Sequence, residues 1–163
     1  MNGRNVAGVV LILFVAWFGY WGWFTINVDY HYDTELGDFY DLVVSSNDVP
    51  TKIVYMDKFI SAVKTLGLDS GQSCIYWQRP DSDLAYHFSI ALSLLARLEA
   101  LNDVPAKSFE YSMSYGQVQN LITCFHNNSM RVFEQAYEFR HGVWWNAILP
   151  FSLNINDRTC PVK

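Results

Sequence analysis

The chain is poor in the features that usually announce a reaction or a nucleic-acid partner. It contains no run of Lys and Arg, and its 163 residues carry a net charge of −5. A nucleic-acid-binding face needs a basic footprint, so no nucleic-acid partner is expected. There are three cysteines, Cys74, Cys124 and Cys160, with no C-x-x-C spacing among them. That argues against a zinc site and leaves one disulfide plus one thiol as the simplest arithmetic. No G-x-S-x-G, P-loop or H-E-x-x-H pattern occurs. An enzyme is therefore not expected, and neither is a cofactor. Long apolar runs are also scarce, with a single exception.

That exception is Val6–Ile26, VAGVVLILFVAWFGYWGWFTI, which carries no charge. As a helix rising about 1.5 Å per residue it spans roughly 31 Å, the thickness of a bilayer's hydrocarbon core. It reads as a transmembrane anchor. Arg4 precedes it, whereas Asp29, Asp33, Glu35, Asp38 and Asp41 follow, with no Lys or Arg before Lys52. The positive-inside rule then puts the N-terminus in the cytoplasm and the rest outside. A cleaved signal peptide would need a shorter apolar region and small residues at its end. Here the run closes on bulky rings, and Trp17, Tyr20, Trp21 and Trp23 suit the headgroup layer. A pilin-like stem would need an early acidic residue in the run, and there is none.

The expected layout follows: residues 1–5 a cytoplasmic tail, 6–26 the anchor, 27–153 an extracytoplasmic helical domain, and 154–163 a loose tail. The fold class is all-α, a four-helix bundle of two tandem hairpins. Tyr32, Leu36, Phe39, Tyr40 and Val43 mark one face of a first helix, starting soon after the membrane and running to about Ser46. Ile53, Met56, Phe59, Ile60, Val63 and Leu66 stripe the second, with Lys52, Asp57, Lys58 and Lys64 around the stripe and Gly67 as its stop. Leu68–Pro80 reads as an irregular stretch, after which Asp81 or Ser82 caps a third helix. Its stripe is Leu84, Phe88, Ala91, Leu94, Leu95, Leu98 and Leu101. His87, Arg97 and Glu99 would make it an expensive second span. The fourth helix runs from about Ser108 towards Trp145, with a possible break at Asn127-Asn128.

One short repeat stands out. Asn47-Asp48-Val49-Pro50-Thr51-Lys52 and Asn102-Asp103-Val104-Pro105-Ala106-Lys107 match at five of six positions. Each copy reads as a helix-to-helix corner, capped by Asp48 or Asp103 with Pro50 or Pro105 in the first turn. Gly142–Phe151 contains a proline and about ten residues, too few to span a bilayer. It either packs on the bundle or lies on the membrane surface, and packing is the reading preferred.

Three constellations invite a chemical reading, and each has a plainer one. Glu138-x-x-His141 is half of a di-iron pattern. No second copy exists, and Asp83 with His87 is the nearest substitute, so an exposed acid–base pair is the better reading. Cys124 and His126 are two apart and diverge on a helix, which excludes a direct nucleophile–base pair. Asn127-Asn128-Ser129 is a glycosylation sequon that matters only in a eukaryotic secretory pathway. For the disulfide, Cys74 with Cys124 is preferred, because the loop around Cys74 needs fastening. Tyr76, Trp77, Trp144 and Trp145 are candidates for an interaction surface, against the plain alternative that the rings fill a small core.

The function expected is a membrane-anchored, non-enzymatic interaction or scaffold module at the cell envelope, partnered by the lipid bilayer and by other membrane or envelope proteins. The first alternative is an accessory single-pass subunit of a larger membrane complex. The second is an extracytoplasmic ligand-sensing domain, disfavoured by the few residues available before Val6 to carry a signal inward.

Overall fold

A computed structural model describes residues 3–73 and 82–143, with side chains from residue 8 onward. The described residues are all-helical, and their only extended pairing is an isolated bridge between Gln72 and Asp83. The described residues form four rods. The first is α1 (Gly3–Tyr32), which passes through a π-helical segment (Asp33–Gly37) into α2 (Asp38–Ser45). The others are α3 (Val49–Thr65), α4 (Leu84–Asn102) and α5 (Phe109–Arg140). α2 packs on α3, α3 on α4, α4 on α5, and α5 packs back on α1 and α2.

The first rod differs from the sequence expectation, which started a new helix after the membrane. No glycine or proline lies between Phe24 and Leu36, so nothing interrupts the ladder of hydrogen bonds. The π segment does a specific geometric job. Tyr32 and Tyr40 are eight residues apart, and two regular turns take about 7.2, so an unbroken α-helix would set them about 80° apart. A π turn holds about one extra residue and brings both rings to the same side. Both are then buried against α5. The Tyr32 hydroxyl donates to the carbonyl of Met130 at 3.1 Å, and that of Tyr40 to the carbonyl of Ile122 at 2.9 Å. Because the higher-numbered tyrosine meets the lower-numbered carbonyl, the two rods run antiparallel.

The core between the rods is aromatic. The Tyr40 ring lies 5.2 Å from Phe59 and 4.9 Å from Phe125, and Phe59 stands edge-on to Phe133 at 5.8 Å. This cluster joins α2, α3 and α5. On α4, Leu84, Ala91, Leu94, Leu98 and Leu101 are buried, while Phe88 and Leu95 are half-buried at the edge. His87 also faces inward, its Nδ1 2.9 Å from the Ser129 hydroxyl of α5. Sequence reasoning counted His87 only as an obstacle to membrane insertion.

Two helices end the same way. After α3, Gly67 takes φ +66°, the Leu68 amide bonds the Val63 carbonyl at 2.8 Å, and the Gly67 amide bonds Lys64 at 3.0 Å. After α5, Gly142 takes φ +92°, the Val143 amide bonds the Glu138 carbonyl at 2.9 Å, and the Gly142 amide bonds Phe139 at 3.2 Å. Both are Schellman endings, each closed by a buried apolar residue, Leu68 or Val143. The fourth helix therefore stops at Arg140, short of the expected Trp145. It also runs unbroken through Asn127-Asn128, because the Asn128 amide turns back to the Cys124 carbonyl at 2.9 Å.

The repeated hexapeptide has two different structures. Asp48 is the N-cap of α3, its carboxylate accepting the Thr51 amide at 2.9 Å, with Pro50 in the first turn. Asp103 is instead the C-cap of α4, and Pro105 lies in the turn beyond it. Ser108 caps α5 by accepting the Tyr111 amide at 3.0 Å. The corner reading is thus corrected for Asp103 and Pro105: after the second proline the chain spends two more residues, Ala106 and Lys107, before a serine offers a better cap. The cap of α4 is likewise Asp83, which accepts the Ala85 amide at 3.0 Å, and neither Asp81 nor Ser82 takes that role.

Lys52 is a further correction. It was placed at the rim of the α3 stripe but is buried, with its Nζ donating to the Val43 carbonyl at 2.6 Å. The ammonium satisfies carbonyls at the end of α2, where the helix dipole favours a cation. Burial nevertheless pushes its pKa below the usual lysine value, and nearby Asp48 only partly offsets this.

Truncating Phe59 to Ala removes a ring from the centre of the aromatic cluster. The expected loss is about 3–5 kcal/mol. Tyr32→Phe and Tyr40→Phe each remove one buried hydrogen bond, for about 1 kcal/mol apiece. The two sites lie about 12 Å apart along the helix, so the double variant is expected to lose the sum. Denaturant unfolding of the detergent-solubilised chain measures all three.

Candidate membrane anchor and juxtamembrane site

The first rod changes surroundings along its length. From Val9 to Phe18 every large apolar side chain exposes more than half of its surface, as do Tyr20 and Trp23. Trp21, Phe24 and Thr25 are half-buried, and Val28 is the first buried residue. So the apolar stretch projects beyond the fold, and the polar stretch after it builds the core. Rings of the rod meet one another along its length: Trp17 stands edge-on to Trp21 at 5.6 Å, and Tyr20 stacks on Phe24 at 6.3 Å. Of the four expected interface aromatics, Trp17, Tyr20 and Trp23 are exposed and Trp21 faces partly inward.

A second helix, α4, is also long and apolar enough to cross a membrane by composition, and a third of its most apolar window is buried. The corresponding window of the first rod has no buried residue. Together these two helices are a weak sign of membrane association. The difference in burial separates an apolar helix that is uncovered among the described residues from one whose inner face is covered by α3 and α5.

Above the apolar stretch, α1 and α5 meet through polar groups. The Tyr137 hydroxyl donates to Glu35 at 3.0 Å, and its ring stacks on His141 at 4.1 Å. His31 Nδ1 lies 3.7 Å from the other Glu35 oxygen. Burial, reinforced by the hydrogen bond to Glu35, raises the Tyr137 hydroxyl to about 12. Beside this contact lies an acidic group. Burial first, and then Asp29 and Asp33, push the Glu134 carboxyl up, with Arg131 opposing. Asp33 is raised by burial and then by Asp38, Asp29 and Asp41.

The remaining candidates fall into place as follows. Cys124 is disulfide-bonded, and both possible partners, Cys74 and Cys160, lie outside the described residues. Tyr76, Trp77, Trp144 and Trp145 also lie outside them. Glu138 is buried, so the expectation of an exposed pair with His141 is overturned: the α5 face that carries Glu138 turns inward. His141 bonds the Tyr137 carbonyl through Nδ1 at 2.8 Å, and Asp83 and His87 are engaged in capping and with Ser129. Among the described residues no group of three or more His, Cys, Asp or Glu is arranged to hold a metal. His126 stacks on Tyr40 at 6.0 Å, with Nδ1 3.7 Å from Asp41, and takes no part in a pair with Cys124. The sequon's Ser129 is buried against His87.

Sequence reasoning missed Lys52, His87 and Glu138 as interior groups. For two of them the available signal was position: Lys52 sits at helical spacing from Met56, and His87 from Leu84 and Ala91, whereas Glu138 has no core residue three or four positions away.

No family model matches this chain, and neither curated proteins nor solved structures give a match. The functional reading therefore rests on the molecule's own geometry.

Glu134 and Asp33 hold their protons more tightly folded than unfolded, so the folded state binds more protons in the window between their ordinary and raised values. Stability from these groups falls as pH rises through that window. Asp48 works in the opposite sense, since the Thr51 hydroxyl and amide lower its pKa. Glu134→Gln is expected to raise the Tm at neutral pH and to flatten its decline just above the ordinary carboxylate range. Thermal unfolding of both proteins between pH 4 and 8 checks this.

Proposed function

We propose that the chain is a single-pass membrane protein. Its N-terminus is cytoplasmic, and its outward helical domain, a bundle of two tandem hairpins, serves as a non-enzymatic interaction or scaffold module at the cell envelope. One observation carries the reading. A single unbroken helix is apolar and uncovered over Val9–Tyr20, yet forms the core from Val28 onward. An uncovered apolar stretch of that size is unfavourable in water and at home in hydrocarbon. The acidic residues after it, opposite Arg4, support the outward orientation. The disulfide at Cys124 suits an oxidising space.

The continuity of the rod bears on the role. A flexible linker would let the domain tumble above the membrane. Here the span enters the core without a break, so the domain keeps a set orientation to the bilayer, as a scaffold requires.

A second reading, an accessory subunit of a larger membrane complex, is favoured by three glycines. A Cβ added at Gly8, Gly19 or Gly22 would meet nothing within 4 Å. Glycines in a span allow another helix to approach closely.

Alkaline carbonate washing of native membranes is expected to leave the chain in the pellet. Release into the supernatant overturns the anchor. Leu13→Arg, which costs about 2.5–3.5 kcal/mol at the centre of a span, is expected to lower the inserted fraction. Crosslinking in the same membranes, read by mass spectrometry, separates the two roles: a fixed set of partners at constant ratio makes the chain a subunit, and copies of itself alone or varying partners favour the free-standing module.

A further inference from the structure

The outward face of α5 is unlike an ordinary solvated helix face. Phe109, Met113, Gly116, Asn120, Thr123 and Asn127 follow one another in steps of four and three residues, and every one is exposed. None of them carries a charge. Arg131 and Glu134, also exposed, extend the row towards the end of α5 at the same spacing. At about 100° per residue the row stays within an arc of roughly 80°, on the side away from the core, and runs for about 38 Å. Alternating steps of four and three are the period at which one helix keeps a seam against another.

The far end of this seam is apolar. Phe109 is 85% exposed and Met113 58%. The Tyr115 hydroxyl reaches the carbonyl of Asn47, just past the end of α2, at 3.4 Å, so the turns before it overhang that end. A Cβ added at Gly116 would meet nothing within 4 Å, which leaves room for a second backbone to come close.

The other end is charged. Glu134 lies where the seam borders the first rod, and Asp29 and Asp33 of that rod act on its carboxyl. Asp29 Oδ1 is buried with no hydrogen-bond donor among the described residues. Three carboxyls thus gather beside one cation, Arg131. Among the described residues neither Arg131 nor Glu134 closes an ion pair within its own chain.

These features fit a second copy of the chain. In a parallel pair of α5 helices related by a two-fold axis, Phe109 and Met113 meet their own mates. The amides of Asn120 and Asn127 each carry donor and acceptor, so each is complementary to itself. Residues three apart are neighbours across such a seam, so each Arg131 faces the Glu134 of the other chain and the carboxyls beside it. Two chains anchored in one bilayer in the same sense present α5 in parallel, because α5 runs antiparallel to the first rod in each.

We infer that α5 pairs in parallel with α5 of a second copy, across a two-fold axis along the membrane normal, with Phe109 and Met113 packed at the outer end and Arg131 paired with the partner's acidic group at the inner end. This deepens the reading of the domain as an interaction module and rests on the single-pass span, which sets the shared direction.

The test uses the full chain reconstituted in phosphatidylcholine vesicles. The photo-crosslinker benzoylphenylalanine is introduced at position 113 or, as a control, at exposed position 96 of α4. Irradiation is expected to give a covalent dimer from 113 and monomer from 96. Phe109→Glu changes a side chain outside the core and is expected to lower the yield from position 113 about tenfold, as is Arg131→Glu. Arg131→Glu combined with Glu134→Arg is expected to restore it. Equal yields from 113 and 96, or monomer from both, overturn the pairing, and so does an undiminished yield in the folded Phe109→Glu variant. Carbonate extraction of the same vesicles separates the two readings. A chain that stays in the pellet yet gives only monomer overturns the pairing alone, whereas release into the supernatant overturns the span and the parallel arrangement with it.

Discussion

The structure depends on one continuous helix whose surroundings change along its length. Among the described residues its large apolar side chains over Val9–Tyr20 are exposed, and from Val28 to Val43 the buried ones supply one wall of the core. A helix is suited to this because its backbone groups are satisfied internally in either medium. The change of surroundings is carried by side chains alone: Phe and Trp rings that need no partner give way to tyrosines whose hydroxyls reach α5. The π segment makes that second half possible. It holds Tyr32 and Tyr40 on the face that meets Met130 and Ile122.

Several buried polar groups are placed to close backbone accounts. Lys52 serves the carbonyls left open at the end of α2, and the two tyrosines add a donor to carbonyls of α5. His87 and Ser129 satisfy each other across α4 and α5. The polar contact with most charge, where Glu35, Tyr137, His31 and the neighbouring acids gather, lies just above the apolar stretch. There the first rod is tied to α5.

The ends of α3 and α5 give the molecule a base. Both finish in the same glycine motif, both turn a buried aliphatic residue inward, and Arg140 ties one to the other. That shared ending brings the C-terminal part of α5 down to Phe24.

Much of the helical layout was legible in residue order. Apolar spacing marks α3 and α4, Gly67 marks a stop, and Asp48-Val49-Pro50 marks a start. These are local signals, set within one or two turns by propensity, capping and period. The apolar length of Val6–Ile26 is local in the same sense. What residue order did not decide involves partners far apart in the chain. Lys52 looks like a surface lysine until the end of α2 folds over it. His87 looks like a polar interruption until Ser129 arrives from 42 residues away. Asp48 and Asp103 share a hexapeptide, yet one starts a helix and the other ends one, because Ser108 offers the second helix its own cap. The close approach of Gly142 to the Phe24 ring joins positions more than a hundred residues apart, which only the packed structure brings together.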